Sequence, residues 1–75
     1  MLQGVHRAVL HRIQPIDIHG QILYDIYYQL DGAPPDQVQG ARLGAEVIYP
    51  DPRPGDRVLL HCVMNMVTRV EKEEG

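Results

Sequence analysis

The sequence predicts an all-β fold: a small antiparallel barrel of five strands with at most one short helical turn. Three observations carry this reading. Residues 21–30, "QILYDIYYQL", alternate with period two along their whole length. Residues 57–71, "RVLLHCVMNMVTRVE", do so again. Between these segments lie stretches rich in Gly and Pro, too short to hold crossover helices. Period two sends successive side chains to opposite faces, the pattern of a half-buried strand.

The first strand is expected over 5–14, "VHRAVLHRIQ". Its alternation slips where Val9 and Leu10 stand side by side, which predicts a bulge. Residues 16–21, "IDIHGQ", then read as a turn around Gly20. The second strand, 21–30, has Ile22, Tyr24, Ile26, Tyr28 and Leu30 on one face. Its other face carries Leu23, Asp25, Tyr27 and Gln29. "DGAPPDQVQG" (31–40) is a loop. A short strand over 38–43 and one irregular helical turn over 44–49 follow. In "YPDPRPGD" (49–56), Pro50, Pro52 and Pro54 fix φ and stiffen an extended approach.

The segment 57–71 is longer than the usual strand of about 5–6 residues. It therefore bends, or turns at Met64-Asn65, since Asn tolerates positive φ. Val58, Leu60, Cys62, Met64, Met66 and Val70 share one parity and are assigned to the core. The charged tail from 72 to 75 is expected to fray. Antiparallel pairing of some five strands, closed to remove exposed edges, is OB-fold-like.

Within 54–71, the Gly55-Asp56 turn leads into a strand with Val58, Leu59 and His61. This stretch resembles the end of the small hydrogenase-assembly chaperones of the HypC/HupF type. The resemblance implies a small barrel and an assembly role. That family carries its functional cysteine directly after the initiator Met, where this chain has Leu2.

Size and composition narrow the function. Seventy-five residues make one domain, 1–75, with a marginal core. The chain has one cysteine, so it forms no internal disulfide, and a reducing cytoplasm is expected. No apolar run approaches a signal peptide or the roughly 20 residues of a membrane span. Scarce Asn and Cys and proline-stiffened loops fit a thermophilic source. The net charge of -3 opposes general affinity for nucleic acid.

No catalytic constellation emerges. The chain has no Ser, and its Asp residues, apart from Asp25, lie in or beside turns. The glycines match no phosphate or dinucleotide loop. "HCVMNM" (61–66) concentrates soft ligands. Yet His61 points opposite to Cys62, and Cys62, Met64 and Met66 continue an apolar parity. They read as core rather than a Cu(I) site. His6, His11 and His19 lack zinc spacing. No enzyme activity, metal or cofactor is expected.

The expected function is that of a non-catalytic binding or assembly module whose partner is another protein or a second copy of the chain. The candidate binding residues are outward ones: Arg7, His11, Leu23, Tyr27, His61 and Arg69. Self-association is expected because Leu23, Tyr27, Leu59, Val63 and Val67 cannot all enter a barrel already filled by the other parity. The alternative is a weak single-strand nucleic-acid binder using Arg7, Arg12, Tyr27, Arg57 and Arg69.

Overall fold

The computed structural model describes residues 2–74. Five strands form one sheet: β1 (Gly4–Ile18), β2 (Gln21–Leu30), β3 (Gln39–Gly44), β4 (Arg57–Val63) and β5 (Met66–Lys72). A single 3-10 turn, Ala45–Val47, follows β3. The strand order is β3-β2-β1-β4-β5, and every ladder is antiparallel. The predicted all-β, five-stranded architecture with one helical turn is what the chain adopts. Among the described residues no helix is long and apolar enough to cross a membrane.

The sheet curls but does not close. No ladder joins β3 to β5. A cleft of about 210 Å³ separates them, lined by Tyr28, Gly40 and Arg42 on one side and Asn65, Met66 and Val67 on the other. Beyond the cleft, Ile48 forms one parallel bridge with Val70.

β2 spans the predicted residues. β1 runs past its predicted end, through Pro15 to Ile18, and the turn shrinks to His19-Gly20. Pro15 pairs with Tyr24 on β2, while its other side has no neighbouring strand. There a missing N–H breaks no ladder bond. The turn has φ of 51° at His19 and 83° at Gly20, the two positive values a tight hairpin of matching twist requires. Asp17 Oδ1 accepts the Gly20 N–H at 3.0 Å.

The β1 bulge lies at His11, just beyond the predicted slip. Leu10 opposes Tyr28 and Arg12 opposes Tyr27, which leaves His11 unpaired in the register. The inward set therefore changes from Ala8 and Leu10 to Ile13.

The predicted turn at Met64-Asn65 forms, with φ of 50° and 70°. It overturns part of the core assignment. Val58, Leu60, Cys62 and Val70 are buried as expected, but Met64 is 68% exposed and Met66 69%. A two-residue turn puts Met64 at its tip and returns the chain with Met66 beside Val63. Parity counted through the turn does not apply. A second bulge, at Thr68, lets His61 oppose Arg69 and Cys62 oppose Val67. The two-residue turn has already brought Val67 inward beside Cys62, and the bulge restores the earlier parity so that Val70 returns to the core. The Thr68 hydroxyl donates to the His61 carbonyl at 3.1 Å.

The core joins Ala8 and Leu10 of β1, Ile26 and Tyr28 of β2 and Leu43 of β3. Ile48, Val58, Leu60, Cys62 and Val70 complete it. No charged side chain among the described residues is buried. Even-numbered β2 residues face this core except Ile22, which is exposed beside the hairpin tip. The Pro-rich loop is anchored by Asp56, whose Oδ2 accepts from the Tyr49 hydroxyl at 2.6 Å and the Arg53 N–H at 3.0 Å. Past β5, the Glu73 N–H donates to the Arg57 carbonyl at 2.9 Å. Ladder-like bonding thus reaches into the segment expected to fray.

Candidate functional site

β1 and β5 flank β4, so their registers define rows of side chains across the outer face. One row is Val5, His61 and Arg69. The next is Arg7, Leu59 and Glu71. Val9 and Arg57 form a third, with Glu73 beyond Arg57. At the turn, Val63 opposes Met66.

Carboxylates lace the charged rows. Glu73 receives Arg7 Nε at 3.3 Å and Arg57 Nε at 3.2 Å. Arg57 Nη2 also reaches Asp31 at 2.6 Å, which draws the loop after β2 onto the face. His61 Nε2 meets Glu71 Oε1 at 2.5 Å, and Arg69 Nε lies 3.9 Å from the same oxygen. Arg7, Arg57 and Arg69 thus balance Asp31, Glu71 and Glu73. Although the chain is acidic overall, this lattice carries no net charge. Hydrogen bonds to Asp31 and then Glu73 hold the Arg57 guanidinium firmly protonated.

The apolar part sits at the turn end. Val5 is 55% exposed and Val63, one row further along β4, 50%; the more exposed Met64 follows Val63 and Met66 opposes it. The segment before β1 fixes the turn. Asn65 N–H donates to the Leu2 carbonyl at 3.0 Å, and Met64 N–H to Gln3 Oε1 at 2.9 Å. Leu2 N–H donates back to Asn65 Oδ1. These bonds hold the methionine-bearing tip against the Leu2-Gln3 segment that leads into β1.

The predicted binding residues fall into two groups. Arg7, His61 and Arg69 share the face just described. His11, Leu23 and Tyr27 belong to a separate region around β2. There Arg12, Tyr27 and Gly40 make one cross-strand row and Gln14, Asp25 and Arg42 the next. The Tyr27 ring lies close over Gly40, where an added Cβ would sit 3.3 Å from it. The Arg12 guanidinium stands 5.8 Å from the ring centroid. Arg42 grips Asp25 through two bonds, at 2.8 and 3.2 Å, and lowers its carboxyl pKa. His11 Nε2 bonds Gln29 Oε1 at 3.0 Å, and Leu23 is half-buried opposite Ile16. His11 and His61 therefore do not meet.

Sequence reasoning missed Val5, Met64 and Met66 as surface residues, and Glu71 and Glu73 as partners of the arginines. The predicted Met64-Asn65 turn was itself the signal for Met64, because a residue at a turn tip cannot continue a core stripe. Cys62 is buried, and burial pushes its thiol pKa up. It does not converge with the methionines two and four residues on. Among the described residues no group of three or more His, Cys, Asp or Glu is arranged to hold a metal ion. Compared with family models, curated proteins and solved structures, the chain matches none.

Proposed function

We propose that the chain is a non-catalytic binding and assembly module that pairs with a second copy of itself through the outer face of β1, β4 and β5. The observation that carries this reading is the exposed apolar cluster of Val5, Val63, Met64 and Met66 beside a charge-balanced lattice. Adjacent apolar side chains left in water on a small domain favour association. An electroneutral rim removes the repulsion that an acidic molecule otherwise meets in its own copy. A two-fold dimer uses the same patch twice.

The nucleic-acid reading is weaker. Of its five residues, Arg7, Arg57 and Arg69 already face carboxylates, and Tyr27 leans on Gly40. Among the described residues, only Arg12 of its cations lacks a carboxylate partner, and it stands over Tyr27. Phosphate would have to displace internal partners for little gain. OB-fold-like character is supported by the strand order and the parallel Ile48–Val70 bridge. The residues behind the chaperone resemblance have structural duties here: Asp56 anchors a loop and Val58 fills the core. That favours a shared fold over a shared activity.

Sedimentation equilibrium tests the reading. The native chain is expected to show a dimer mass in the micromolar range. Val63→Glu weakens association at least about tenfold, because it places a charge in the apolar contact. Tyr27→Glu leaves it unchanged. A monomer mass at every concentration, or equal effects of the two substitutions, overturns it.

A further inference from the structure

We propose that Met64 and Met66 form a peroxide-sensitive modification site that controls self-association. This rests on the dimer reading above and adds its regulation. Both side chains stand more than two-thirds exposed, at and beside the tip of the β4–β5 turn. The sulfur ordinarily more reactive, Cys62, is 3% exposed, and its thiol is held protonated by burial. Exposure therefore directs an oxidant to the thioethers.

The reactant is a hydroperoxide, a two-electron oxidant. A methionine sulfur lone pair attacks the terminal peroxide oxygen, and an S–O bond forms as the O–O bond breaks. The sulfur is oxidised to the sulfoxide, the peroxide is reduced, and the departing oxygen takes up a proton to leave as water or an alcohol. A flexible apolar side chain becomes a polar one in the middle of the contact. Association buries the same thioethers, so the free protomer is the reactive form. Oxidation then traps the protomer as it dissociates.

The test uses the native chain and a Met64→Leu/Met66→Leu variant, which keeps the apolar patch without thioethers. Each is treated with hydrogen peroxide and cleaved after Arg57 and Arg69, so that both methionines fall in one peptide without Met1. Mass spectrometry follows alkylation of Cys62 in denaturant. Expected are two added oxygen atoms on the native peptide, with the thiol still available. Self-association of the oxidised native chain is at least about tenfold weaker. The variant associates and keeps associating after peroxide. Equal loss in the variant, or oxidation of Cys62 before the methionines, overturns the inference. So does a native chain that associates as strongly after oxidation, and that result leaves the dimer reading intact. A native chain that never associates overturns both.

Discussion

Asp56 and Tyr49 show how one pair of side chains ties local structure to pH. Accepting the Tyr49 hydroxyl, and then the Arg53 N–H, lowers the Asp56 pKa. A depressed carboxyl contributes stability above its unfolded value, about 3.9 for Asp, and loses it as pH falls through the folded value. Burial, then the bond to Asp56, raises the Tyr49 phenol. That contribution is complete below about pH 10 and fades only on the alkaline side. Tyr49→Phe is expected to destabilise the fold by about 1 kcal/mol and move the Asp56 titration up toward its ordinary range. Denaturant melts and a carboxyl-carbon NMR titration measure the two effects. An unmoved Asp56 would mean that the Arg53 N–H and the nearby charges of Lys72 and Arg53 set its acidity. Cys62 gives a second residue-scale expectation. Its thiol should react slowly with a neutral-pH labelling reagent until denaturant is added, and fast native labelling would remove it from the core.

The two tight hairpins act at the scale of elements. His19 holds φ of 51°, where its imidazole is bulkier than the short amide of Asn, which bonds the local backbone. His19→Asn keeps the backbone and suits it better, so it should raise stability by a few tenths to about 1 kcal/mol. Thermal melts test this, and a lower midpoint would mean that the histidine makes a contact worth more than the relieved strain. The same turns show what the sequence made legible. Strand 21–30 and the Met64-Asn65 turn were readable because alternation and turn chemistry are local. The end of β1 was not, since tolerance of Pro15 depends on a missing neighbour strand. Nor were the faces of Met66 and Val67, because the turn changes parity by one position and the Thr68 bulge changes it back only beyond them. The arginine partners were least legible. Arg7 meets Glu73 only after β4 has been laid between β1 and β5.

For the whole molecule, the charged lattice and the apolar tip predict how association responds to salt. The ion pairs lie within one protomer and are largely exposed, so each is worth little and screening changes little. Dimer formation measured by sedimentation is expected to vary less than about threefold between low and physiological salt. A steep loss would assign the contact to charges across the interface. The cleft between β3 and β5 acts on the native ensemble instead. A closed ring would make every strand an interior one. Here β1 pairs with β4 over Gly4–Val9 and with β2 from Ala8 onward, so Ala8 and Val9 are flanked on both sides, whereas β3 borders open space along one edge. Solvent can therefore peel the sheet from β3 without first breaking its middle. Backbone amides should trade hydrogen for deuterium fastest in Gln39–Gly44 and slowest near Ala8 and Leu10. Equal rates in the two places would mean that the seam behaves as though it were sewn shut.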